Sequence, residues 1–469
     1  MHNIKCFKTY DIRGHIPNEL NEEISYNIGY AYGKIFNPGT TIVGYDVRLE
    51  SPTLAHTLIL GLNHANTHVI NIGLCGTEEV YFHTFNRYNQ GIGGGIMVTA
   101  SHNPKGYNGM KLVREQSKPI SGDNGLFNIL DYINKFPQSL ALHKINQSYH
   151  IDVDNNKTRY IEHLLTYINY KTLKPLKIVV NPGNSSAGIV VKLLEQHLPC
   201  QFIYIYDEPD GNFPNGVPNP LLPENRLATT EAVRKHKADF GVAWDGDFDR
   251  CFLFDENGKF VEGYYIVGLL AEVFLKKFPQ EKIIHDPRLY WNTVDIIHKL
   301  GGKAIQSKTG HAFIKDSMRR ENAIYGGEMS AHHYFRDFAY CDSGMIPWLL
   351  IAELISVHDI SLARLVDQKI HNYPCSGEIN YTIHNKELLF EKILEHFKEL
   401  KPIIDYTDGL SLSFDNWRFN IRGSNTEPLV RLNIETRGNK EAIETYQKTI
   451  ENIIESYKCM QFHELLSLQ

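Results

Sequence analysis

Thr99-Ala-Ser-His-Asn-Pro-Lys-Gly-Tyr-Asn-Gly-Met-Lys111 follows a glycine-rich run, Gly91 to Gly95, and the apolar Ile96-Met97-Val98. That order reads as a buried strand breaking into a loop too rich in Asn, Pro and Gly to continue as strand or helix. Ser101 stands at the break, where its hydroxyl can face a cleft rather than a core. Lys111 lies ten residues on, past two glycines that let the chain fold back and bring the ammonium toward the hydroxyl. A hydroxyl, a cation and a turn full of backbone N–H groups suit the handling of phosphate. The plainer alternative is a serine capping a helix that starts after the loop.

A strand followed by a polar or glycine break and a helical stretch recurs along the chain. Thr41-Ile-Val-Gly-Tyr-Asp46, Lys177-Ile-Val-Val-Asn-Pro-Gly183 and Lys282-Ile-Ile-His-Asp-Pro287 share the pattern. Continuous β-branched runs of this kind suit strands covered on both faces by helices. They predict three related α/β units over residues 1–150, 151–255 and 256–370, with seams in the polar stretch Asn146 to Lys157 and at Asp255-Glu-Asn-Gly258. The remainder, 371–469, reads differently. Leu410, Leu412 and Phe414, then Phe419 and Ile421, then Val430, Leu432 and Ile434 alternate with polar residues. Period-two alternation predicts antiparallel strands with one face buried. Ile443, Tyr446, Ile450 and Ile453 then mark one stripe of a helix, completing a small α+β domain.

Bulk properties narrow the function classes. The chain has 469 residues, 42% hydrophobic and 22% charged, with a formal net charge of −6. Its length suggests about three domains, and no concentrated basic face points to nucleic acid. The longest apolar candidate, Tyr264 to Leu275, is short and contains Glu272, which argues against a membrane span. The N-terminus lacks the apolar core of a signal peptide. Seven cysteines without CxxC spacing argue against a disulfide framework. A cytoplasmic protein is expected.

Asp245-Gly-Asp-Phe-Asp-Arg250 follows the strand-like Ala238 to Trp244. Carboxylates at i, i+2 and i+4 lie on one side of an extended segment, and Gly246 lets it curl so that they converge. Crowded carboxylates repel unless a cation joins them, and oxygen-only ligands on a tight loop favour Mg²⁺. A calcium loop is rejected. Glu256 falls at the twelfth position, but Arg250 replaces the glycine needed at the sixth, and Cys251 to Phe254 reads as strand. Arg422-Gly-Ser-Asn-Thr-Glu-Pro428 places a guanidinium, hydroxyls and an amide on one turn, a match for phosphate oxygens, with Arg431 as a second cation. In Gly326-Gly-Glu-Met-Ser-Ala-His-His-Tyr-Phe335, Glu328 and Ser330 suit sugar hydroxyls, and His332 or His333 can exchange protons. Ser307-Lys-Thr-Gly-His311 and Tyr10-Asp-Ile-Arg-Gly14 each place a cation beside a glycine. Two separated phosphate sites suggest a substrate whose phosphate changes position.

Thr99-Ala-Ser-His-Asn-Pro104, Asp245 to Arg250, Gly327 to His332 and Arg422 to Pro428, in that order and spread over the whole length, resemble the motifs of the α-D-phosphohexomutase superfamily, in particular the bacterial phosphomannomutase group. The resemblance implies four domains around a central cleft, three of them related α/β units with mixed sheets and the fourth a smaller C-terminal α+β domain. It implies that Ser101 is a phosphoserine, and that Asp245, Asp247 and Asp249 hold Mg²⁺ together with that phosphate. Glu328 and Ser330 would contact the sugar 3- and 4-hydroxyls, and Arg422, Ser424, Asn425 and Thr426 would grip the non-reacting phosphate. Arg13, Lys111 and His332 are implied as general acids and bases, with Tyr10, Arg250, Arg288, Lys308 and His311 lining the cleft. A hexose 1,6-bisphosphate is the implied intermediate and activator, GDP-mannose and surface polysaccharide the implied downstream use, and a monomer or homodimer the implied state. Two positions depart from the pattern: many relatives carry a small residue at Phe248 and glycine at Ala331.

Rival readings are a phosphoglucomutase or dual-specificity enzyme, a phosphatase that loses the Ser101 phosphoryl group to water, and a non-catalytic sugar-phosphate-binding protein. A serine hydrolase is a poor match, because Ser101 lacks a GxSxG elbow and the adjacent His102 cannot easily orient onto it.

Overall fold

The protein is described by a computed structural model covering residues 4–138, 151–383, 385–423 and 428–467. It divides into two compact units, Met1–Val261 with His332–Leu362, and Glu262–Ala331 with Ala363–Gln469.

The first unit holds two sheets. In one, strands Thr40–Tyr45, His68–Leu74 and Ile92–Val98 run parallel. Strand Tyr107–Arg114 returns antiparallel beside Ile92–Val98, and Ile12–His15 closes that edge. The loop carrying Ser101 is therefore followed by a strand, not a helix, and Met97 faces Lys111 across it. The glycine-rich run has a packing reason. A Cβ on Gly94 would lie 1.8 Å from the Tyr32 hydroxyl oxygen. The second sheet has the order Phe260–Val261, Cys251–Phe254, Phe240–Trp244, Lys177–Asn181, Gln201–Tyr204. Its last three strands are parallel and the first two antiparallel, so both sheets are mixed. Each of the three quoted β-branched runs forms a parallel strand, and helices Ser51–His64, Ala187–Glu195 and Trp291–Lys299 follow them in turn.

Of the third α/β region, the second unit contains the parallel strands Lys303–Gln306, Lys282–His285 and Tyr325–Gly327. The first unit contains its antiparallel pair His333–Phe335 and Cys341–Asp342. The apolar stretch from Tyr264 forms helix Gly263–Lys277, buried within the second unit. Among the described residues no helix is long and apolar enough to cross a membrane.

The C-terminal sheet is antiparallel throughout, in the order Cys375–Thr382, Leu429–Thr436, Trp417–Gly423, Leu410–Ser413, Ile403–Asp405. Leu410, Leu412, Phe419, Ile421, Val430, Leu432 and Ile434 join Ile450, Ile453 and Tyr457 of helix Glu441–Ser467 in one core. The other face departs from expectation, since Arg418, Asn420, Asn433 and Glu435 are buried too. Arg418 and Glu435 pair at 2.9 Å. Glu435 accepts from the Tyr264 hydroxyl and from the backbone N–H of Tyr290, and Arg418 donates to the carbonyls of Pro287 and Arg288. Arg418 and Glu435 thus clamp the loop that bears Arg288. Asn420 donates to the Asp408 carbonyl and Ser411 Oγ, and Asn433 to the Gly377 carbonyl, so this polar face bonds internally rather than to water. Glu435→Gln leaves Arg418 as a buried charge without its partner, and should cost about 3–5 kcal/mol. Urea unfolding of the full chain measures it.

Acid sensitivity has a source in the first unit. His83 is 2% exposed, and burial together with Arg87 pushes its pKa down to about 3. His163, packed among Phe82, Phe85 and Phe338, is lowered by burial as well. In the unfolded chain such imidazoles take a proton near pH 6.5, so below that pH the unfolded state binds more protons and stability falls as pH falls. His83 alone should remove about 2 kcal/mol between pH 6.5 and 5. Denaturant midpoints across that range should show a slope that flattens in His83→Gln.

Candidate active site

The loop bearing Ser101 is held from beneath by Arg48, which the sequence reading passed over. Its guanidinium donates to the carbonyls of Ser101 (2.8 Å), Asn103 (2.6 Å), Pro104 (3.0 Å) and Tyr107 (3.0 Å). These bonds satisfy four of the loop's carbonyls from a single buried side chain. Ser101 itself has φ +48°, a left-handed conformation that a non-glycine residue adopts only when its surroundings impose it. Arg13, on strand Ile12–His15, donates to Asp11 at 2.9 Å and to Asn103 of the same loop at 3.2 Å. Tyr10 is half-buried in the bend that precedes this strand.

Asp245 to Arg250 connects strands Phe240–Trp244 and Cys251–Phe254. The three carboxylates converge through a tight turn rather than an extended segment. Phe248 N–H donates to the Asp245 carbonyl at 3.2 Å, and Phe248 has φ +43°. One carboxylate oxygen from each of Asp245, Asp247 and Asp249 lies within 4.8 Å of the others. Gly246 is needed for close approach, because a Cβ there would be 2.3 Å from the Ser101 carbonyl oxygen. Ser101 Oγ donates to Asp245 Oδ2 at 2.7 Å, so the hydroxyl and the acidic loop form one site.

Cations surround that site. Lys111 Nζ donates to Asp247 Oδ2 at 2.7 Å and Asp249 Oδ2 at 2.5 Å. Arg250 donates to Asp245 Oδ2 through Nη2 at 2.7 Å and Nε at 3.1 Å. Thr77, at the start of helix Thr77–Asn86, donates from its hydroxyl to Asp247 at 2.5 Å, and its N–H meets the Asp247 carbonyl. His332 places Nε2 3.7 Å from Asp249 and 3.9 Å from Asp342, and its backbone bridges to Arg250.

Burial raises Asp245 to about 6, helped by the charges of Asp249 and Asp247 and opposed by Arg250. Burial alone would raise Asp249 too, but Lys111, His332 and Arg250 outweigh it and hold this carboxyl below the ordinary range. Burial would lower Lys111, yet Asp247 and Asp249 reverse the sign and keep the ammonium charged. His102 corrects an expectation, since its Nδ1 does reach Ser101 Oγ, at 3.3 Å. Burial and Arg250 depress its pKa well below normal, and Nδ1 also faces Arg250 Nη2 at 2.5 Å. His102 is therefore a neutral acceptor wedged between Arg250 and the serine.

The donor set fits a hard divalent cation. Asp247 Oδ1 and Asp249 Oδ1 are buried with no hydrogen-bond partner among the described residues. Buried carboxylate oxygens left unpaired are costly, and oxygen-only donors beside a hydroxyl suit Mg²⁺.

The second unit assembles another set. Arg288 Nη2 donates to Asp286 at 2.7 Å and to Ser330 Oγ at 3.3 Å, and approaches Glu328 at 3.5 Å. Glu328 Oε1 accepts the N–H of Gly310 at 2.9 Å, tying the 307–311 loop to the 326–331 loop. His311 opens helix His311–Glu321, and Lys308 is exposed in the loop before it. Ala331 has φ +69°, a conformation that glycine adopts more readily than alanine. Arg422 and Arg431 face each other across two strands, and with Arg288 they surround Glu378, a residue without a motif to mark it. Ser424, Asn425 and Thr426 lie outside the described residues.

Comparison with known proteins agrees in order and extent. Models described as phosphoglucomutase/phosphomannomutase alpha/beta/alpha domains I, II and III match residues 5–138, 158–258 and 262–373, and the C-terminal domain of the same family matches 378–453. "Phosphohexose mutases" of Xanthomonas campestris pv. campestris is 55% identical over 451 residues, covering 96% of this chain and 99% of that protein. A phosphomannomutase of Escherichia coli (strain K12) is 54% identical over 457 residues, with 96% and 99% covered. A crystal structure of a phosphoglucomutase/phosphomannomutase family protein from Burkholderia thailandensis superposes with a TM-score of 0.86 at 28% identity, covering 98% of each chain. Identity of this level over nearly the whole length, together with four domain matches in sequence order, makes the chain a member of the phosphoglucomutase/phosphomannomutase family of the α-D-phosphohexomutase superfamily.

Proposed function

We propose that the chain is a Mg²⁺-dependent phosphomannomutase. It interconverts mannose 6-phosphate and mannose 1-phosphate through phosphorylated Ser101 and a hexose 1,6-bisphosphate. The observation that carries this reading is the 2.7 Å bond from the Ser101 hydroxyl to Asp245, inside a carboxylate loop with unpaired buried oxygens.

Phosphoryl transfer depends mainly on positioning and on neutralising charge. Ser101 carries the phosphoryl group, on a loop whose carbonyls Arg48 holds. Asp245, Asp247 and Asp249 would hold Mg²⁺, which when bound offsets negative charge on the transferring group. Lys111 stays protonated between two carboxylates, so it serves as a fixed cation and proton donor rather than a base. His332, flanked by Asp249 and Asp342, is the candidate to take the proton of the attacking sugar hydroxyl. As the phosphoryl group leaves, the P–Oγ bond breaks, a bond to the sugar oxygen forms, and Ser101 Oγ recovers a proton. The bisphosphate then presents its other phosphate and the steps reverse.

Glu328 and Ser330 would read the sugar 3- and 4-hydroxyls, with Arg288 bracing both. Arg422 with Ser424, Asn425 and Thr426 would grip the non-reacting phosphate, and Tyr10, Lys308, His311 and Arg431 would line the path. Mannose and glucose differ at C2, which these contacts do not read, so glucose phosphates are a second expected substrate pair. The Xanthomonas relative's name, "Phosphohexose mutases", favours breadth. A cytoplasmic enzyme supplying mannose 1-phosphate for GDP-mannose and polysaccharide synthesis, as monomer or homodimer, completes the reading.

Initial rates with mannose 6-phosphate and glucose 6-phosphate, with and without a trace of bisphosphate, test it. Formation of the 1-phosphate, accelerated by the bisphosphate, is expected. Release of inorganic phosphate instead would establish a phosphatase, and binding without turnover a non-catalytic protein.

A further inference from the structure

One carboxylate meets all three guanidinium groups of the second unit's substrate cluster. Glu378 lies on strand Cys375–Thr382, where the register shifts between Cys375 and Glu378. Its Oε2 is 3.5 Å from Arg422 Nη2 and 3.9 Å from Arg288 Nη1, and its Oε1 is 3.4 Å from Arg431 Nη1. Arg422 and Arg431 are direct cross-strand partners, a placement of like charges that is unfavourable without an anion between them. Glu378 provides that anion, but at long range, with its contacts to Arg422 and Arg431 at 3.5 and 3.4 Å.

The side chains are graded in exposure. That of Arg288 is 3% exposed and that of Arg422 13%, while those of Glu378 and Arg431 are 27% and 30% exposed. The carboxylate is therefore held on the open side of the cluster, beside Arg431 and away from the buried Arg288. A phosphate brings more charge and one more oxygen than a carboxylate, and arginine forks bind it in matched pairs. An incoming phosphate can outbid a single loosely paired carboxylate.

We propose that Glu378 is an internal counter-ion that occupies the arginine cluster before substrate arrives and is displaced by the sugar's distal phosphate. It keeps the grip weak enough for the bisphosphate to let go and return reversed. A mutase needs this compromise, because a phosphate site that holds too well traps the intermediate half-way. The kinetic half of the inference rests on the mutase reading above, whereas the anion-binding half does not.

The test uses the full chain with Glu378→Gln, which removes the charge at constant shape, and Glu378→Asp, which keeps the charge but draws it back. Titration calorimetry with inorganic phosphate in chelator should show about tenfold tighter binding for Glu378→Gln and a smaller gain for Glu378→Asp. With mannose 6-phosphate, KM and kcat should fall together in Glu378→Gln. A purely structural role for Glu378 predicts the opposite sign: weaker phosphate binding and a raised KM. Unchanged or weaker phosphate binding overturns the inference, as does a gain that survives in the double variant Glu378→Gln/Arg422→Gln. If Glu378→Gln does not fold, the sign of the change in Glu378→Asp decides. If the wild type fails to turn over mannose 6-phosphate, the mutase reading falls, and the phosphate affinities still judge the counter-ion.

Discussion

Ser101→Ala should lose mutase turnover by on the order of 10⁴-fold or more while the chain still folds, since removing a nucleophile deletes a step that nothing else in the site performs. The Ser101 hydroxyl meets both the acidic loop and His102, through contacts of 2.7 and 3.3 Å. Folding should survive. Asp245 keeps both bonds from Arg250, and the Ser101 loop keeps the four carbonyl contacts of Arg48. The lost hydroxyl contact is worth about 1 kcal/mol. Thermal unfolding near the wild-type midpoint, together with absent turnover, is the expected pair of results. Residual turnover near the wild-type rate would end the phosphoserine role.

Asp247→Asn has the second largest expected effect. Asp247 accepts from Thr77 and Lys111 on one oxygen and leaves the other buried without a partner. The carboxamide keeps the shape but removes the charge and one acceptor oxygen. Lys111 is then left with Asp249 alone, and the loop loses a third of its negative charge. Turnover should fall on the order of 10²-fold, and the Mg²⁺ concentration for half-maximal rate should rise about tenfold or more. Rates measured against Mg²⁺ check both. Wild-type rates at limiting Mg²⁺ would contradict the assignment of the loop.

The convergence of Ser101 and the three carboxylates was legible where residue type and spacing coincide. The acidic loop announces itself through its alternating carboxylates, and the Ser101 loop through a strand ending in Asn, Pro and Gly. The repeated β-branched runs mark the parallel strands because burial on both faces leaves no polar alternation. What escaped was set by partners distant in sequence. Arg48 precedes Ser101 by 53 residues, and nothing near it hints at four carbonyl partners. Glu78 is a similar case. It lies on helix Thr77–Asn86 and accepts from the Tyr160 and Ser343 hydroxyls and from the Gly344 and Met345 N–H groups, buried among segments far apart in the chain. The C-terminal strands misled for a different reason. Alternation identifies two faces, but Arg418 and Glu435 show that a polar face can be buried when it pairs internally and clamps a neighbouring loop. Arg422 stands out by its motif, whereas Glu378 stands out only by its position among arginines.

The most direct test is phosphopeptide mapping after incubation of the enzyme with hexose 1,6-bisphosphate and Mg²⁺. One phosphoryl group on the peptide containing Ser101, which disappears with formation of bisphosphate when mannose 6-phosphate is added, is the predicted result. Turnover that proceeds with Ser101 never phosphorylated, or with the label on another residue, would contradict it.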